Sequence, residues 1–284
     1  MASTQKIRQR IRSIQNTVKI TKAMEMIAAS RMRRAQERAL MARPYAEKMQ
    51  AVLANLAAQP QPGDGLHPLL SKRPVNKIAI IHVTSDRGLC GGLNVNVNHL
   101  SGSFILSQNI EVGIIAVGKK GRDFMSRAER EIIAEFTGLG DRPSIEDVRT
   151  VARLVIDDYI NESIDQVKVA YPKFVSTTTQ QPTMEELLPV TPNPDLSGNV
   201  QYIYEPTAGD VLDQLLPRYV EMGIYHALLE TIASEQSARM VAMRNATDNA
   251  NEMIEDLTLE YNKARQDMIT KELLEITGGV SALK

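Results

Sequence analysis

The 284-residue sequence predicts an α/β protein: a central domain with a mainly parallel sheet, and N- and C-terminal helices paired as a long antiparallel coiled coil. Three observations predict it. The first 43 residues hold neither Gly nor Pro, and their apolar residues step by three and four. A second stretch of this kind fills the C-terminal quarter. Between them, apolar β-branched runs alternate with helix-compatible segments. The boundaries read from these patterns are 1–58 for the first helix, 75–205 for the central domain and 207–284 for the last helix.

The N-terminal seam runs Ile7, Ile11, Ile14, Val18, Thr21, Ala28, Met32, Ala35, Ala39 and Ala42, with only Glu25 breaking the pattern. A strict seven-residue apolar repeat predicts a left-handed supercoil. Pro44 is a point of bending, after which Tyr45, Met49, Val52 and Leu56 resume the pattern. The linker 59–74 is rich in Pro and Gly and ends the helix. KIAIIHVTS (77–85) and IEVGIIAV (110–117) then read as buried parallel strands. IEDVRTVARLVIDDYI (145–160) has helical spacing. DQVKVAYPKF (165–174) and NVQYIYE (199–205) alternate as half-exposed strands, and 181–199 reads as an exposed loop. After Pro217 the second seam runs Met240, Met243, Thr247, Ala250, Ile254, Leu257, Tyr261, Ala264 and Met268. This helix, roughly 60 residues, is the longer of the two, so its end is expected to project past the start of its partner.

Composition narrows the function classes. The net charge is -1, yet residues 1–50 hold twelve Lys/Arg against three acids, and 205–284 hold fourteen acids against seven Lys/Arg. That asymmetry favours the two ends lying side by side. The basic cluster lacks interleaved aromatics, so nucleic acid is not an expected partner. No apolar run is long enough to span a bilayer. The single Cys90 excludes an internal disulfide, and four scattered histidines show no metal-ligand spacing.

Two segments resemble nucleotide sites and are read otherwise. GIIAVGKK (113–120) fits G-x-x-x-x-G-K, but Lys120 stands where a magnesium-binding hydroxyl belongs, and Ile, Ile, Ala and Val suit a strand interior. SDRGLCGGLN (85–94) follows the first strand, but its glycines do not follow the dinucleotide-binding spacing. A tight turn is expected there, with Cys90 a small buried thiol.

The segments 7–36 (above all KITKAMEM and AASRMRRAQ), 85–94, 234–254 and 261–279 resemble, in that order, motif blocks of γ subunits of F-type ATP synthases. The last block carries I-T-x-E-x-x-E as Ile269, Thr270, Glu272 and Glu275, then Gly279. Val280 departs from the family's usual Ala. The resemblance implies a non-catalytic rotor shaft with a central Rossmann-like domain and no cofactor, metal or catalytic residue. It implies one copy per complex, standing within a ring of α and β subunits and joined below to ε and the membrane c-ring. The expected location is the cytoplasmic face of a bacterial cell membrane, held through the complex. Implied contacts with β subunits fall on Arg265, Gln266, Met24, Arg31, Arg33 and Arg34. Those with the c-ring and ε fall on Tyr204 and Glu205. Read without the resemblance, the same residues would also allow a self-assembling coiled-coil scaffold, or a nucleotide-binding α/β enzyme with helical arms.

Overall fold

The computed structural model of the chain describes residues 4–57, 67–192, 204, 205 and 207–282. Its elements are α1 (Thr4–Ala57), a 3₁₀ turn (Pro68–Leu70), β1 (Lys77–Val83), α2 (Leu93–Ser107), β2 (Glu111–Val117), α3 (Lys119–Arg127), β3 (Ile132–Phe136), α4 (Ile145–Ile160), β4 (Gln166–Phe174), β5 (Gln180–Leu188) and α5 (Ala208–Ala282). Two compact units result: residues 1–28 with 240–284, and residues 29–239.

The larger unit is built on a five-stranded sheet in the order β3-β2-β1-β4-β5. The first three neighbour pairs are parallel, and only β4 with β5 is antiparallel. Side chains alternate across β1, so Ala79, Ile81 and Val83 face one layer and Ile78 and Ile80 the other. The first layer is the main core. There Val151, Val155 and Tyr159 of α4 meet Leu53 and Leu56 of α1 and Leu216, Val220 and Ile224 of α5. The second layer packs Ile105 of α2 and Met125 of α3 on Ile114 and Ala116. Each fully buried aliphatic side chain contributes roughly 1.5–3 kcal/mol, so covering both faces fixes the register of β1 and β2.

Local signals agree with this packing. Ser144 caps α4: its hydroxyl accepts from the Asp147 amide, and the Asp147 carboxylate accepts from the Ser144 amide. Thr207 and Asp210 reciprocate in part at the start of α5.

Several expectations need correction. Residues 180–188 form edge strand β5 rather than an exposed loop, since β4 offers them an antiparallel ladder that shifts register only between Val167 and Lys168. β4 is largely buried, with Val167, Val169, Ala170 and Tyr171 all covered, because helices lie over both of its faces. Strand β3 was not expected at all. Within α5, which starts at Ala208, burial of Leu212, Leu216 and Val220 outweighs the backbone bond that Pro217 lacks. After Pro44, which lies within α1, Tyr45 is exposed rather than part of the seam. Of the strand expected at 199–205, residues 199–203 lie outside the described residues, as do residues 59–66 of the 59–74 linker; Tyr204 and Glu205 are not in a strand.

In the smaller unit, the first turns of α1 pair with the last part of α5. Ile7, Thr21, Glu25 and Ala28 are buried on one side, and Met240, Met243, Thr247 and Ala250 on the other. The Thr21 and Thr247 hydroxyls meet at 2.7 Å, Arg244 Nε donates to Glu25 Oε1 at 3.1 Å, and the Arg8 guanidinium lies 5.7 Å from the Tyr261 ring centre. From Glu25 to Arg8 the chain goes back 17 residues, and from Arg244 to Tyr261 it goes forward 17. The pair is therefore antiparallel, with no slip along that length.

Candidate functional site

Glu25, which breaks the apolar seam in sequence, is held in place by two cations. Lys22 Nζ donates to Oε2 at 3.0 Å and Arg244 to Oε1. The Lys22 hydrogen bond leads in holding this carboxyl below the usual range, against an opposing effect of burial. A charged position inside a seam specifies register more than it adds stability.

Outside the seam, α1 exposes Ile20, Met26 and Ile27, and α5 exposes Met253 and Leu259. Met24 is half-buried, whereas Arg265 and Gln266 are exposed. The observed register sets Met24 opposite about residue 245, roughly 30 Å along the helix from Arg265. Met24 and the Arg265–Gln266 pair are thus separate points on one rod. Carried further, the register sets Thr4 opposite about residue 265, so among the described residues the last turns of α5 have no α1 residue to face. That explains why Met268, the last seam residue read from sequence, is 48% exposed, together with Ile269, Leu273, Leu274 and Ile276.

Arg31, Arg33 and Arg34 belong to the larger unit. Arg31 pairs with Asp141, whose other oxygen accepts from Gln236 Nε2 at 3.2 Å. Arg34 reaches back to the Ser30 carbonyl and hydroxyl, and Arg33 is exposed. Tyr204 packs at the edge of the main core beside exposed Glu205. The Asp141 contact joins positions 110 residues apart, and no local sequence pattern signals it.

The two nucleotide-like segments are closed by the chain's own groups. Gly118 caps α3, and the amide of Lys119 donates to Asp86 Oδ1 at 2.9 Å, that of Lys120 to the Ser85 carbonyl and that of Gly121 to Thr84 Oγ1. A phosphate at this helix start would have to displace all three acceptors. In the 85–94 turn, Leu89 and Gly91 take positive φ, and Asn94 bonds back to Ser85. Cys90 is buried among these groups, and burial pushes its thiol pKa up, away from thiolate reactivity. His82, also fully buried, spans Ser101 Oγ at 2.9 Å and Asn98 Oδ1 at 2.8 Å; burial lowers its pKa to about 4, so it is neutral at pH 7. With Asn98 Oδ1 accepting, the ring proton sits on Nε2.

A pair not singled out in the sequence closes the far side of the turn. Arg239 Nη2 donates to Glu235 Oε1 at 2.6 Å and to the Gly88 carbonyl at 3.1 Å, with both side chains about one-tenth exposed. The only advance signal was the i,i+4 spacing. Among the described residues, no group of His, Cys, Asp and Glu is placed to hold a metal, and no helix is long and apolar enough to cross a membrane.

The comparisons with known proteins agree with this geometry. The family model described as ATP synthase matches residues 3–283. An ATP synthase gamma chain of Dehalococcoides mccartyi is 57% identical over 284 residues, covering all of both chains. One of Desulfitobacterium hafniense is 50% identical, again over both full lengths. Among solved structures, a chain of the Tetrahymena thermophila mitochondrial ATP synthase central stalk and c-ring shares 25% identity at a TM-score of 0.63, over 80% of this chain and 99% of that one. A chain of the Euglena gracilis mitochondrial ATP synthase (OSCP/F1/c-ring) reaches 0.68 over 99% and 94% at 18% identity, a likeness of fold. A full-length family match and whole-chain relatives at 50% identity or more agree on one conclusion: the chain belongs to the γ-subunit family of F-type ATP synthases.

Proposed function

We propose that the chain is the central-stalk rotor subunit of a proton-translocating F-type ATP synthase and does no chemistry itself. It couples rotation of a membrane c-ring to ATP synthesis and hydrolysis at the β subunits of an α/β ring. The observation that carries this reading is the antiparallel seam between α1 and α5. It leaves the outward faces of both helices uncovered, with apolar and charged residues mixed along them. A stiff rod whose core is only its seam can present a different face to each surrounding subunit. In this reading Arg265, Gln266 and Met24, with Arg33 and its neighbours Arg31 and Arg34, meet β subunits. Tyr204 and Glu205 meet the c-ring and ε. The complex lies on the cytoplasmic face of a bacterial membrane, with one copy of this chain in each.

Arg265 offers a fixed fork of donors, and Gln266 both donates and accepts, which suits a polar loop on a β subunit. Arg265→Leu with Gln266→Leu is expected to leave the chain folded, since both side chains are exposed. ATPase turnover of the assembled complex, or its yield, should fall severalfold against a Lys263→Leu control. Equal turnover and equal yield in the two would remove this contact from the account.

A further inference from the structure

A cleft of about 170 Å³ in the larger unit is lined by Arg31, Arg34 and Arg38 of α1 and by Asp141 and Arg142 of the β3–α4 loop, over a floor of Ala35 and Ile232. Four guanidinium groups meet one carboxylate. That carboxylate is already engaged, since Asp141 pairs with Arg31 and accepts from Gln236. Arg34 bonds, among the described residues, only to Ser30, through its carbonyl and hydroxyl at 3.3 Å each. Among the described residues, no carboxylate lies within ion-pair distance of Arg34, Arg38 or Arg142. Three positive charges therefore share one concave space, and among the described residues none of them has a carboxylate partner.

We infer that this cleft is an anion site for a diphosphate group, whether free pyrophosphate or the diphosphate of a nucleotide. Arg31, Arg34 and Arg38 are spaced by three and four on α1 and so share one helix face, while Arg142 approaches from the loop. Donors from two walls suit tetrahedral groups with oxygens on every side, and the guanidinium fork pairs two phosphate oxygens at once. A single carboxylate is planar and carries one charge, which would leave most of the excess unbalanced. A phosphate group carries about 1.5–2 charges at neutral pH, so two linked groups match three arginines. The closed start of α3 is not involved. Arg31 and Arg34 are also the residues proposed above to meet β subunits, so a diphosphate and a β subunit would be alternatives there, whereas Arg38 and Arg142 are used by this site alone.

The test is calorimetric titration of the purified full-length chain with pyrophosphate at physiological ionic strength. Saturable one-site binding is expected, weakened at least tenfold by Arg38→Gln and by Arg142→Gln and unchanged by the exposed control Lys48→Gln. Circular dichroism of each variant checks that it folds. ADP binding as well as pyrophosphate, or better, supports the site and identifies the nucleotide as a source; weaker ADP binding supports it with the inorganic ion as the source. No saturable binding, or binding that both variants leave intact, overturns the inference. So does tighter binding of a hexaglutamate peptide, which would make the cleft a seat for a protein-borne acidic segment.

Discussion

Replacing Gly118 by Ala is expected to destabilise the larger unit by at least about 3 kcal/mol, combining left-handed backbone strain with a hard contact. Gly118 has φ +104 where β2 turns into α3, and a Cβ there would stand 2.1 Å from the Thr84 carbonyl oxygen. That oxygen is backbone at the end of β1, and the adjacent Thr84 amide is fixed to Val117 at 2.8 Å, so little can move aside. Gly102→Ala is the contrasting control. It lies inside α2 with open space around it, and should stabilise by about 0.5–1 kcal/mol through helix propensity. Urea unfolding of the purified chain measures both. A Gly118→Ala chain as stable as wild type would mean that the β1–β2 junction is looser than described.

Arg239→Leu is expected to cost about 3–5 kcal/mol at neutral pH, because it leaves Glu235 buried without its cation and the Gly88 carbonyl without a donor. Burial already raises the Glu235 pKa, and Arg239 works against that rise. Without Arg239 the rise must grow. An acid whose folded pKa lies above its unfolded value gains stability as pH falls through the folded pKa. The variant should therefore recover part of its loss on mild acidification, relative to wild type at the same pH. Adding Glu235→Gln should recover much of it at pH 7. A single variant with wild-type stability, or one whose deficit does not shrink with acidification, would show that Glu235 is not a buried charge.

How far these features were legible depends on whether local or distant residues decide them. The seams from Ile7 to Ala35 and from Met240 to Ala264 repeat locally and lie where their spacing puts them. Met268 follows the same spacing but has no α1 residue opposite it among the described residues, and a repeat does not reveal the length of its partner. β1, β2 and α4 were readable because burial on both faces, or a capped amphipathic pattern, marks them. β3 and β5 were not. Ile132–Phe136 is short and Gln180–Leu188 carries Pro182, Glu185 and Glu186, so pairing with distant neighbours rather than intrinsic preference makes them strands. At the candidate sites, the glycines of 85–94 and the missing hydroxyl at Lys120 were readable as non-nucleotide chemistry. Asp86 filling the start of α3, Asp141 holding Arg31 and Arg244 neutralising Glu25 were not, because each joins residues far apart in the chain.

The central claim is that α1 and α5 turn as one antiparallel rod, and a covalent link across the seam tests it most directly. Thr21 and Thr247 touch through their hydroxyls, so Thr21→Cys with Thr247→Cys places two thiols where those oxygens meet. The measurement is ATP hydrolysis by the assembled complex before and after oxidation, with the cross-linked product sized on a denaturing gel. The account predicts a disulfide within one chain and turnover within about twofold of the reduced complex, since the helices need not move past each other. Cross-links only between two copies of the chain, or turnover abolished by the internal link and restored by reductant, would contradict it.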